Sequence, residues 1–183
     1  MKILPTEIEG VFIVEAKLLS DKRGSFSRLF CEQELGDVLD GRKIVQINQS
    51  TTVSVGTVRG IHFQETPYAE MKLIRCTKGR VWDVAVDLRE GSSTFLQWHA
   101  EELTPNNKRM FVIPEGCGHG FQVMEPDSEL LYLHTAFYQP KFESGVMYND
   151  PRLVISWPLP VVDLSSKDLN HPPIANDFNG IKV

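Results

Sequence analysis

Apolar and polar positions alternate with a period of two along most of this chain. In the run 81–88, Trp82, Val84, Val86 and Leu88 fall on one side and Asp83 and Asp87 on the other, as expected of a strand whose successive side chains point to opposite faces. Runs of the same kind occupy 10–19, 43–54, 57–64, 71–78, 96–103, 109–114, 120–124, 129–136 and 153–157, with Gly, Pro, Asn or Asp in the gaps. So many short strands predict an all-β sandwich or barrel. Only 32–39 has helical spacing, with Leu35, Val38 and Leu39 on one side, and its length suits a connector. The polar tail 163–183, which holds Pro172 and Pro173, is expected to wrap over the barrel or fray, so 1–183 reads as a single domain.

Composition narrows the function. The chain is 42% hydrophobic and 23% charged, the balance of an ordinary globular domain. Its 19 Lys and Arg against 24 Asp and Glu leave a net charge of -5, which argues against a nucleic-acid binder that tracks phosphates. Any anionic ligand must therefore meet a local cluster of cations. No stretch approaches the roughly 20 apolar residues that span a bilayer, and the N-terminus lacks the apolar core of a signal peptide, so a cytoplasmic protein with no membrane partner is expected. Cys31, Cys76 and Cys117 are odd in number and lack CxxC spacing, which predicts reduced thiols rather than a disulfide framework or zinc ribbon.

Candidate chemistry begins at Pro114–Phe121, where a turn delivers His119 into the next strand. This PxGxxH run resembles the second motif of the cupin jelly rolls. In a metal-binding cupin the partner motif supplies His-x-His and a carboxylate, but here the corresponding strand, 59–64, holds His62 alone. His62 and His119, even with oxygens from Glu65 or Glu70, make a poor metal set, so no metal is expected. His62 reads either as a core histidine or as a base beside the cations Arg59 and Lys72. Strict alternation puts Arg59 and His62 on opposite faces, so both point inward only if Gly60 sits at a bulge. Tyr132, His134, Ala136 and Tyr138 share one face of another strand. A phenol there either packs or donates a proton to a carbanion, since its reference pKa is about 10. Asp168 either caps a turn or holds an imidazole in one tautomer.

Together, 21–24, 46–50, 58–64, Lys72, 83–89, 114–121, Asn149-Asp150 with Trp157-Pro158, and 165–168 closely resemble the dTDP-4-dehydrorhamnose 3,5-epimerase family, in the same order from about residue 8 to residue 170. The resemblance implies a metal-free, cofactor-free cupin jelly roll, dimeric, with N-terminal strands exchanged so that Arg23 serves the neighbour's site. It implies inversion of carbons 3 and 5 of a nucleotide-linked 4-keto-6-deoxyhexose. His62 is then the base supported by Asp168, Tyr132 the opposing acid, and Lys72 the group that stabilises the enolate. Arg59 and His119 lie near the sugar and phosphates, Arg23 and Lys167 at the diphosphate, and Gln46, Asn48, Glu143 and Tyr138 around the nucleotide. These roles suit the chemistry, because a proton alpha to a ketone needs a base, donors for the enolate oxygen and an acid on the far face. The chain departs from the family pattern at Arg28, where a glutamate contacts substrate, and also at Cys117-Gly118, Leu133, His134 and Tyr148. Three alternatives stay open: an epimerase acting at one carbon, one acting on a CDP- or GDP-sugar, and a non-catalytic sugar-nucleotide-binding cupin.

Overall fold

The computed structural model describes residues 1–183. Two antiparallel sheets face each other. The first orders six strands as β1 (Lys2–Pro5), β2 (Phe12–Glu15), β10 (Arg109–Ile113), β7 (Lys72–Lys78), β12 (Ser128–His134) and β5 (Gln46–Thr52). The second orders five as β13 (Glu143–Gly145), β6 (Val58–Gln64), β11 (Cys117–Val123), β8 (Val81–Asp87) and β9 (Trp98–Leu103). From β5 onward the chain passes repeatedly from one sheet to the other, with only β8 and β9 adjacent in both sequence and sheet. This alternation makes the fold a cupin-like jelly roll, and it allows residues close in sequence to look at one cavity from opposite walls. A separate hairpin, β3 (Leu18–Asp21) with β4 (Gly24–Ser27), carries an exposed surface. Two four-residue helices, α1 (Gly36–Leu39) and α2 (Ser166–Leu169), complete the elements.

Apolar faces meet in three layers. Ile74, Phe111 and Leu130 of the six-stranded sheet pack against Val81, Ala85 and Phe121 of the other between the sheets. Outside the six-stranded sheet, Leu35, Val38 and Leu39 cover Leu73, Val112 and Leu133. Outside the five-stranded sheet, Val84, Val86 and Leu88 pack with Leu153, Ile174, Phe178 and Ile181.

The tail thus wraps the barrel rather than fraying. Ile181 bridges to Arg89 in parallel, and Ile174 N–H donates to Asp150 Oδ2 at 2.6 Å. It also explains β8, whose alternation is as expected but whose apolar face, Val84 and Val86 with Leu88 just past the strand, looks outward at the tail while Asp83 looks into the barrel.

Several expected boundaries move. The run 10–19 breaks after Glu15, so that Leu18 begins the hairpin instead of extending β2. The run 153–157 is irregular, with Leu153 buried under the tail. Only the last turn of 32–39 is α-helical, following a series of turns. The strand expected at 120–124 starts earlier, at Cys117, because Cys117–His119 already pairs with β8. The short strands β1, β4 and β13 lack enough alternation to stand out.

Candidate active site

A cavity of about 290 Å³ opens between the sheets. Its walls are supplied from opposite sides: Arg59, His62 and His119 come from β6 and β11, while Asn48, Ser50, Lys72, Tyr132 and His134 come from β5, β7 and β12.

Gly60 sets the first wall. His119 pairs with His62 and Phe121 with Arg59, so Gly60 and Ile61 stand opposite Gly120 alone. This is a bulge with two residues against one. Gly60 has φ +113, and a Cβ there would lie 2.6 Å from both Gly120 Cα and the His119 carbonyl oxygen, so only glycine fits. The extra residue turns Arg59 and His62 to the same side, and both line the cavity.

Behind His62 stands Asp168, whose Oδ1 is 2.5 Å from His62 Nε2 and whose side chain is nearly fully buried. Ser165 caps α2, its Oγ accepting from Asp168 N–H at 3.1 Å, which fixes the carboxylate. Burial alone would raise the Asp168 pKa, but the hydrogen bond and charge of His62 outweigh it and hold the carboxyl below its usual range. An ionised carboxylate only accepts, so His62 donates through Nε2–H and keeps its lone pair on Nδ1.

Across the cavity, Tyr132 Oη lies 3.0 Å from Ser50 Oγ. Burial pushes this phenol well above the ordinary value of 10, so it stays protonated. Lys72 and His134 sit directly opposite each other on β7 and β12. Lys72 Nζ donates to the His62 carbonyl at 3.1 Å and lies 3.4 Å from Glu70 Oε1. His134 Nδ1 is 2.8 Å from Glu70 Oε2, and its Nε2 is 3.3 Å from Asn48 Nδ2. The amide nitrogen can only donate, so His134 Nε2 accepts and Nδ1–H donates to Glu70. Burial opposes charge on Glu70, yet His134 and Lys72 keep its pKa lowered. At the floor, His119 Nε2 meets Asp83 Oδ1 at 2.7 Å. Burial lowers the His119 pKa and raises that of Asp83.

The rim joins four of the expected nucleotide and diphosphate residues. Tyr138 Oη donates to Glu143 Oε2 at 2.5 Å, Lys167 Nζ reaches the same oxygen at 2.5 Å, and Tyr138 N–H donates to Gln46 Oε1 at 3.0 Å. Arg23 and Arg28 lie away from the cavity of their own chain. Arg23 pairs with Asp21 at 2.6 Å at the hairpin turn, and Arg28 pairs with Glu34. Sequence reasoning missed Ser50 and Asp83, and assigned no role to His134 although it shares the face of Tyr132. Glu70 entered only as a metal oxygen.

Known proteins match along nearly the whole chain. The family model for dTDP-4-dehydrorhamnose 3,5-epimerase matches residues 5–176. The chain is 42% identical over 172 residues to dTDP-4-dehydrorhamnose 3,5-epimerase of Shigella flexneri, covering 93% of this chain and 94% of that one. The crystal structure of dTDP-4-dehydrorhamnose 3,5-epimerase from Elizabethkingia anophelis superposes with a TM-score of 0.92 at 36% identity, covering 97% and 98% of the two chains. The dTDP-6-deoxy-D-glucose-3,5-epimerase of Legionella pneumophila, solved with dTDP-4-keto-L-rhamnose, gives a TM-score of 0.87 at 39% identity over 92% and 89%. With this coverage by sequence and by fold, the chain belongs to the dTDP-4-dehydrorhamnose 3,5-epimerase family.

Proposed function

We propose that this protein epimerises dTDP-4-dehydro-6-deoxyglucose to dTDP-4-dehydrorhamnose, inverting carbons 3 and 5 of the sugar. Family membership supports the isomerase class and the dTDP-linked substrate. One geometric observation carries the mechanism: His62 and Tyr132 line one cavity from opposite sheets. Inversion needs a proton removed on one face and returned on the other, which a single base cannot supply.

In this reading His62 Nδ1 takes the proton alpha to the ketone, and Asp168 stabilises the imidazolium that forms. The electron pair moves onto the carbon 4 oxygen as an enolate, where Lys72 supplies positive charge. Tyr132 Oη then delivers a proton to the opposite face; His62 releases the proton it took to solvent and the Tyr132 phenolate takes one back before the order is repeated at the second carbon. Arg59 and His119 contact the sugar and phosphates, and Gln46, Asn48, Tyr138, Glu143 and Lys167 hold the nucleotide and diphosphate at the rim. The whole chain, 1–183, acts as one domain.

The same reading makes the protein a homodimer whose N-terminal strands cross to the partner. The β3–β4 hairpin supports this, with Leu19 53% and Phe26 67% exposed and Arg23 at its turn. Arg23 and Arg28 then serve the neighbour's cavity. Three unpaired thiols, Cys31, Cys76 and Cys117, suit residence in a reducing cytoplasm.

Incubation with dTDP-4-dehydro-6-deoxyglucose in D2O tests the assignment. Deuterium at both carbons with L-configured product is expected. Label at one carbon identifies an epimerase of that carbon alone, and no label with intact dTDP binding identifies a non-catalytic binder.

A further inference from the structure

A third group stands beside the His62–Asp168 pair, outside the cavity and with no part in the epimerisation derived above. The His171 ring packs edge-on against that of His62, with centroids 5.6 Å apart at 66°. Its side chain is 10% exposed and lies 3.9 Å, at Nε2, from Asp168 Oδ1. That Nε2 is sealed from solvent and has no hydrogen-bond partner, an uncommon condition for a buried polar atom. The fold makes room for it. Gly145 of β13 pairs with His62, and a Cβ at 145 would sit 2.5 Å from His171 Nε2. One ligand atom each from His62, Asp168 and His171 lies within 4.8 Å of the others.

We infer that His62, Asp168 and His171 form a binding site for a divalent transition ion of the zinc type, and that filling it switches the epimerase off. Two imidazoles and a carboxylate are a donor set such ions favour. Ligand distances of about 2.0–2.2 Å place tetrahedral donors about 3.4 Å apart, so the ion opens the 2.5 Å His62–Asp168 contact and closes the 3.9 Å gap to His171. The unpartnered Nε2 of His171 supplies a lone pair without first losing a hydrogen bond.

Inhibition follows from proton accounting at His62. A neutral imidazole carries one proton, which Asp168 holds on Nε2. An ion that takes the Nε2 lone pair moves this proton to Nδ1, so no proton is gained or lost, but the nitrogen that must accept the substrate proton is no longer free. The inhibition rests on the role proposed for His62, whereas the binding of the ion does not.

The test is calorimetric titration of chelator-stripped protein with zinc chloride, together with cobalt(II) absorption and an epimerase assay, in wild type, His171→Phe and His171→Ala. Phe preserves the ring packing against His62. Wild type is expected to bind one zinc per chain, show intense visible cobalt bands and lose activity that EDTA restores. The variants should keep turnover, while their zinc affinity falls about 10–100-fold or more. Absence of stoichiometric binding, or equal binding by wild type and variants, overturns the site. If both variants fail to fold, an anomalous-difference map of zinc-soaked wild-type crystals decides. A peak bonded to all three atoms is expected, and a peak elsewhere or none refutes the site. Calorimetry and the map use no sugar, so an error in the substrate assignment would leave them unchanged.

Discussion

Replacing Asp168 by Asn keeps the shape behind His62 and removes the charge. The carboxylate is nearly fully buried and its Oδ1 lies 2.5 Å from Nε2, so water cannot readily take its place. A hydrogen bond to a charged partner is worth about 1.5–3 kcal/mol against about 0.5–1.5 for a neutral one. The imidazolium formed when His62 accepts the substrate proton therefore loses about 1–2 kcal/mol. That ion exists only after proton transfer, so the loss falls on kcat, about 5–30-fold, and not on substrate binding. An amide turned to present its NH2 would move the His62 proton onto Nδ1 and deepen the loss. The assay is deuterium uptake at carbons 3 and 5 from D2O at saturating substrate, followed by NMR, with dTDP affinity measured alongside. An exchange rate within twofold of wild type, in a variant that melts like wild type, would refute the role given to Asp168.

Gly60→Ala should destabilise the fold by about 2 kcal/mol or more and lower activity further, because its Cβ meets the β11 backbone at a positive φ; thermal unfolding and exchange rates read the two effects. Asp87 has its pKa lowered to about 2, because hydrogen bonds from Arg89, Ser92 and Thr94 outweigh burial. A depressed carboxyl stabilises above its unfolded pKa of about 3.8 and loses that contribution as pH falls towards 2, so Asp87→Asn should cost about 2 kcal/mol at neutral pH and flatten the acid unfolding curve below pH 4. Deleting the Arg23 side chain should weaken dTDP binding without altering thermal stability. Mixed dimers with His62→Ala chains test whether Arg23 acts on the partner's cavity: activity should survive only where an intact Arg23 faces an intact His62.

Most of the walls of the cavity were legible in the sequence because they obey alternation. Tyr132 and His134 share a face of β12 as the period-two spacing predicts and line the cavity, whereas the strand ends at His134 and Tyr138 reaches the rim from irregular chain beyond it. The Gly60 bulge was legible as a condition, since only an added residue reconciles Arg59 with His62. The inward face of β8 was not legible, because alternation tells two sides apart without saying which is inside. Val84, Val86 and Leu88 look outward because the tail buries that side too, and Asp83 is tolerated inside because His119 meets it at 2.7 Å. Glu70 and His171 were opaque for a different reason. Their roles depend on contacts with His134 and His62, 64 and 109 residues away in the chain, and no local pattern encodes such pairs. Arg23 and Arg28 sit on exposed segments whose partners belong to a second chain in the proposed dimer.

Two sheets serve the two faces of one sugar, and Tyr132→Phe separates their contributions. Removing the phenol hydroxyl leaves His62 and Asp168 in place. Incubated with dTDP-4-dehydro-6-deoxyglucose in D2O, this variant should still wash deuterium into recovered substrate, while epimer formation falls by about 10²–10⁴-fold. Equal loss of exchange and of product would contradict the division of labour between the two walls.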